Sequence, residues 1–324
     1  MRKKVICLLC VMIMVFTMSG CEIKTPKIAV TMYPIEYLVN RIAGDKVECV
    51  TIGDGSIPIR SHISADWEEK LEGCDLFLYM GMVEPYLQIY LSSIRQTENL
   101  EIIDLANTTS LYSFGRYTTI TVGESTIGVE APYYEGVAFD YVDIYDNDPY
   151  IWLDPVAMTS MASQIRKWLV NSYPEESEYF NNNYSELEIQ LAQLDSQYQL
   201  LRSKNGSTTI KIVTMSPSFG TWQKNYGIQV YPVILSRYGV LPDEEQIALI
   251  EERIIRDEVN YIVLENNLTD DMRELYDRIK NDLNLIEISL YNLAGLTDAQ
   301  QIENKDYIQI MYENLAMIES IIAQ

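Results

Sequence analysis

Histidine is almost absent: one residue, His62, in 324. That excludes any centre built from several imidazoles. A nucleophilic Ser-His-Asp or Cys-His arrangement would have to use His62, and no serine or cysteine sits in a nucleophile-elbow context. Basic residues are scarce, 24 Lys and Arg against 47 Asp and Glu, for a formal charge of −23. Such acidity argues against electrostatic binding of nucleic acid and adsorption to anionic lipid. Glycine loops with phosphate-cradling spacing are missing, since "IGDGSI" lacks the pattern. Cysteine is also sparse. Of five, Cys7 and Cys10 fall in the first twenty residues and Cys21 follows directly, leaving Cys49 and Cys74. Both adjoin strand-like runs and read as small buried hydrophobes, with a disulfide left open.

Only one hydrophobic run is long, and it stands at the start. "MRKK" is a positive segment, "VICLLCVMIMVF" an apolar core, and "TMSGC" places small residues before Cys21. Residues 1–20 therefore read as an export signal, with Cys21 lipidated after cleavage. The expected location is outside the cell membrane and tied to it. The remainder, at 48% hydrophobic and 22% charged for the whole chain, has the composition of a globular protein.

Strand and helix alternate. "KIAVTM", "KVECVTI", "DLFLYM" and "LEIIDLA" read as strands, with helical patterns at "PIEYLVNRIAG", "ADWEEKLEGC" and "VEPYLQIYLSSIRQ" between them. The rhythm restarts with "TIKIVT", "IQVYPVI", "NYIVLE" and "NLIEISL". In the second half, "LPDEEQIALIEERIIRDE" shows Ile247, Ile250, Ile254 and Ile255 on one helical face. Between the halves lies a low-glycine stretch read as one helix over 175–206. The expected fold is α/β: two lobes with parallel sheets, at 21–174 and 207–324, joined by one long helix, with a ligand cleft between them. Residues 107–147, rich in Tyr, Gly and acid, break the rhythm. They read as a long excursion with a hairpin, lying over an opening.

The most informative line is "DNDPYIWLDPVAM", in which two Asp-Pro bends flank "IWL" and present Tyr150. Asp148 and Asp154 read as turn formers, Asp154 also as a helix cap, and Trp152 as core. "DPYIWLDP" resembles "DPHxWLDP", a signature of the zinc/manganese-type solute-binding lipoproteins of ABC transporters. "VEPYL", "FGTWQKNYGI", "YIVLEN" and "EISLYNLAGL" resemble further segments of that family. The resemblance implies a monomeric, non-enzymatic binding protein that hands a metal ion to a permease and ATPase. It also implies three histidines and an acid, or two of each, as ligands to Zn, Mn or Fe.

Carried over one position at a time, that ligand set fails. The first histidine falls on Ile59, the second on Tyr150 and the third on Ser216. The final acid falls nearest Tyr291, within one residue. Other candidates come from the residues themselves. His62 could be delivered by a rearranged loop, and Arg60 would oppose a cation. Glu265 ends the "YIVLE" strand as a ligand or as a hydrogen-bonding acid. Tyr150, Tyr291 and Glu265 together would suit Fe³⁺, which can deprotonate a phenol as zinc deprotonates water. Three functions stay open: a metal-ion binding protein with an atypical or degenerate site; a binding protein for ferric iron or a small organic or anionic molecule; and a surface protein on the same fold that serves adhesion without transport.

Overall fold

The structure, a computed structural model, describes residues 25–322 apart from 56, 82, 124, 205–208 and 267. Residues 1–20, read above as an export signal, and Cys21 lie outside the described residues.

The first lobe runs β1 (Lys27–Val30), α1 (Tyr33–Ala43), β2 (Glu48–Thr51), a two-residue pair β3 (Gly53–Asp54) and β4 (His62–Ile63), α2 (Trp67–Leu71), β5 (Leu76–Tyr79), α3 (Leu91–Ile94) and β6 (Glu101–Asp104). Its sheet has the order β2-β1-β5-β6 and is parallel throughout. All four residues of β5 are buried, as a strand covered on both faces requires. In α1, Ile35, Leu38, Val39 and Ile42 are buried, and Gly44 ends the helix at φ 55°. The helix expected over "VEPYLQIYLSSIRQ" is smaller: a 3₁₀ stretch at Pro85–Ile89 precedes the four-residue α3. Cys49 and Cys74 form no disulfide, and the Cys74 thiol donates to the Lys70 carbonyl.

A hairpin, β7 (Arg116–Val122) and β8 (Ser125–Ala131), fills the middle of the excursion. The last residues of the excursion, Tyr145, Asp146 and Asn147, line a cavity with Gly81, Pro85, Tyr86 and Arg237. Tyr133, Tyr134 and Tyr145 are buried among Ile57, Ile59, Val213, Met215 and Val233 in a core shared with the second lobe. Tyr134 donates to the Pro232 carbonyl at 3.0 Å, and Gln246 donates to that of Ala138 at 2.7 Å. A segment this rich in aromatic side chains has apolar area to bury, and it buries it as a strap.

α4 (Pro155–Ser172) follows, capped by Asp154, whose Oδ1 accepts from the Val156 amide at 2.8 Å. The long helix α5 covers Ser177–Lys204, after a 3₁₀ turn at Pro174–Glu176. At 1.5 Å per residue it is about 42 Å long. Its first half binds first-lobe groups: Asn183 donates to the Ile42 carbonyl and Gln190 accepts from Arg41. Its second half binds the other lobe, where Asp195 accepts from Tyr226 and Tyr198 donates to the Met311 carbonyl.

The second lobe runs β9 (Lys211–Thr214), α6 (Thr221–Tyr226), β10 (Gln229–Pro232), α7 (Glu244–Arg256), β11 (Tyr261–Leu264), α8 (Asp270–Asp282), β12 (Ile286–Ser289), α9 (Asp298–Ile302) and α10 (Tyr307–Ile322). The sheet order β10-β9-β11-β12 repeats that of the first lobe. A capping box between Asp243 and Gln246 starts α7, which buries Ile247, Ile250 and Ile254. Ile255 is 64% exposed and does not share that face.

Residues 150–153 wedge between the lobes. The Trp152 indole donates to the Asn292 carbonyl at 2.7 Å, the Trp222 indole to that of Leu153 at 3.0 Å, and the Tyr307 hydroxyl to that of Trp152 at 2.7 Å. Trp152 is core, fully buried. The start of α4 is therefore where this wedge is fixed. Asp154 also accepts from the Asn225 amide at 2.9 Å. Asp154→Ala should lower the unfolding free energy by about 1–2 kcal/mol, read as a lower urea midpoint at unchanged slope.

Candidate functional site

Parallel order places β9 beside β11, so the residues following each strand meet at the carboxyl edge of the sheet. Glu265 directly follows β11 and is 1% exposed. A buried carboxylate is costly unless hydrogen-bonded, and this one is heavily bonded. Its Oε1 accepts from the Met215 and Ser216 amides, both at 2.9 Å. Its Oε2 accepts from Ser216 Oγ at 2.5 Å, Ser218 Oγ at 3.0 Å and Asn292 Nδ2 at 2.9 Å. Five donors use the roughly four lone-pair positions of a carboxylate completely.

Tyr150 closes the cluster from the wedge. Its hydroxyl donates to Ser216 Oγ at 3.2 Å, and its ring packs on Trp152 with centroids 4.8 Å apart. Burial, and then the Glu265 charge, push the phenol well above its ordinary value of 10.0. Tyr150 is thus a protonated donor and not a phenolate.

One family match covers residues 28–321: zinc-uptake complex component A, periplasmic. The chain belongs to this family. The family consists of solute-binding proteins of ABC importers, which bind zinc or other metal ions and are not enzymes. The chain is 23% identical over 327 residues to the high-affinity zinc uptake system protein ZnuA of Bacillus subtilis, covering 95% of this chain and 92% of that protein. It is 22% identical over 328 residues to the zinc-binding protein AdcA of Streptococcus pyogenes, covering 97% of this chain but only 61% of that longer relative. The periplasmic zinc-binding protein TroA of Treponema pallidum has the same fold, with a TM-score of 0.70 at 19% identity, over 93% of this chain and 100% of that one.

The residues at the family's ligand positions do not fit a transition metal. Among the described residues no three His, Cys, Asp or Glu side chains converge to hold one. Tyr150, Ser216 and Glu265 are brought together, but as a self-satisfied network. Ile59 is 4% exposed in the second hydrophobic core. Tyr291 does not reach Glu265. It lines a separate cavity with Asn266 and Asp298, and its backbone is held by Asn314. The contact falls one residue on, at Asn292. The ferric arrangement of Tyr150, Tyr291 and Glu265 is therefore not assembled. His62 sits on the exposed β3–β4 pair, 3.5 Å from Asp54, and is not delivered to the cluster. Arg60 is turned to the other lobe. It reaches across the lobes to Asp271 Oδ1 at 2.8 Å, Thr269 Oγ1 at 3.0 Å and the Gly239 carbonyl at 2.8 Å.

Ser218 and Asn292 are the members that sequence reasoning missed. Each lies within two residues of a position that was singled out. Asp148 is more than a turn former. It is 2% exposed, hydrogen-bonded to Tyr133, and its Oδ1 has no partner. A Cβ at Gly220 would stand 2.3 Å from that oxygen, so only glycine lets the start of α6 approach.

Two predictions follow from these two acids. Glu265→Gln cannot accept five hydrogen bonds, and should cost about 3 kcal/mol or more in denaturant unfolding. Burial raises the Asp148 pKa from 3.8 to about 8. The folded state then holds a proton that the unfolded chain releases earlier, so this contribution is complete below pH 3.8 and is lost as pH rises to about 8. Asp148→Asn should flatten the fall of stability across that window, measured by urea titrations at stepped pH.

Proposed function

We propose that this chain is the extracytoplasmic, lipid-anchored solute-binding component of an ABC importer, and that its cargo is not zinc, manganese or iron held at the family's usual position between the lobes. Family membership supports the importer role, with a permease and an ATPase as partners. The "TMSGC" motif supports anchoring through Cys21. The observation that carries the second half is the saturation of Glu265 by five donors of its own chain, with a protonated Tyr150 beside it. A divalent ion there would have to strip those donors and would find no imidazole or thiolate in exchange.

A non-transporting surface role is the second reading. One observation favours it: the lobes are joined by direct contacts of the chain itself, through Arg60, the Trp152 wedge and the tyrosine strap. Co-purification of a permease and ATPase with the membrane-anchored chain would decide for transport.

The metal half is tested by thermal unfolding of the full-length protein with Zn²⁺, Mn²⁺ and Fe³⁺ in turn. Binding to the native state alone would raise the midpoint through linkage. No shift with any of the three is expected, and no visible charge-transfer band with Fe³⁺. A shift that Tyr150→Phe or Glu265→Gln abolishes would overturn the reading.

A further inference from the structure

Each of the two four-stranded sheets reverses its strand order once, and each reversal carries a buried glutamate. In the second lobe the reversal lies between β9 and β11, and Glu265 stands there. In the first lobe it lies between β1 and β5, and Glu84 stands there, fully buried. Glu84 Oε2 accepts from Thr31 Oγ1 and from the Met80 amide, both at 2.9 Å, and Oε1 accepts from the Tyr86 hydroxyl at 2.8 Å. Thr31 and Met80 immediately follow β1 and β5. Open α/β sheets bind ligands in such crevices, outside the strand carboxyl ends.

The two crevices differ in one respect. The second-lobe crevice is filled by Tyr150, Ser218 and Asn292. The first-lobe crevice opens into a cavity of about 770 Å³, roofed by residues 294–296 and Gln301 of the other lobe. That volume is within the range of roughly 300–1,000 Å³ typical of small-molecule sites.

Its lining is one-sided. Glu36, Asp54 and Glu84 supply carboxylates, Tyr33 and Tyr86 supply phenol rings, and among the described residues no lysine, arginine or histidine lines it, although His62 stands 3.5 Å from Asp54 behind the lining. Glu84 makes three hydrogen bonds where a carboxylate offers about four acceptor positions, so one is left. Glu36 accepts only a long bond from Thr51, at 3.3 Å. The three acids do not converge on a point that could hold a metal ion. Spread carboxylates with phenol side chains in the same lining suit a charge carried on a larger, softly hydrated body.

We propose that the first-lobe crevice, between Glu84 at its floor and Glu36 and Asp54 at its sides, is a binding site for a small organic cation of the amine or quaternary-ammonium class. Buried Glu84, held up to about 7, would gain its full charge when such a cation enters. The site shares no residue with the Glu265 cluster. If zinc were found at Tyr150, the metal half of the functional proposal would fall and this inference would stand.

The test is calorimetric titration of the full-length chain, purified in detergent, with putrescine, spermidine and choline, and with glutarate as an anion of comparable size. Saturable binding of at least one cation is expected, weakening with salt, and none of glutarate. Glu36→Gln removes one carboxylate without touching the buried Glu84 bonds, and should weaken the bound cation about ten-fold. Absence of saturable binding by all three cations would overturn the proposal. So would equal binding of glutarate, or a Glu36→Gln affinity equal to that of the parent.

Discussion

A carboxylate taken out of water must find its donors within the protein, and Glu265 finds five. That requirement fixes much else. It draws the backbone after β9 into a tight turn, so that Met215 and Ser216 can point their amides at one oxygen. It brings in Asn292 from beyond β12 and, through Ser216, Tyr150 from the wedge. The same requirement is met by fewer groups at Glu84 in the first lobe. The two lobes thus share a sheet order and a buried acid at the equivalent crevice, and differ in whether that crevice is plugged.

The plug also ties the lobes to each other. At the positions that the family resemblance marks as ligands, Ile59 lies in a hydrophobic contact and Tyr150 offers a hydroxyl, and beside Tyr291 it is the amide of Asn292 that turns to Glu265. Around these, closure is built from ordinary interactions: the indole of Trp152 on the Asn292 carbonyl, Arg60 across to Asp271, and tyrosines 133, 134 and 145 buried in the shared core. Helix α5 backs both lobes along its length. Each contact is of modest strength, and together they tie three separate stretches of the first lobe to the second.

Much of the architecture was legible in the sequence, because alternating strand and helix patterns with fully apolar runs such as "LFLY" admit few arrangements. Asp154, read as a helix cap, sits where its side chain has the Val156 amide to accept from. The loss of a multi-histidine site was legible too, from a single count. What the sequence did not disclose is how the vacated positions repack. Spacing cannot say that Asn292 turns inward and Tyr291 away, since that depends on the backbone after β12. Nor can it say that Asp148 is buried against Gly220, because 72 residues of chain separate their numbers and only the folded strap joins them. The excursion looked like a lid because long irregular segments often are. Its tyrosines also have partners to bury against, which spacing does not reveal.

The claim on which the rest stands is that Glu265 is satisfied by its own chain. Native-state hydrogen exchange at the Met215 and Ser216 amides reads this directly, since both protons point at Glu265 Oε1. Exchange should be slow in the protein alone and unchanged by excess zinc. Rapid exchange that becomes slow only when zinc is added would mean that the ion, not the chain, completes the site.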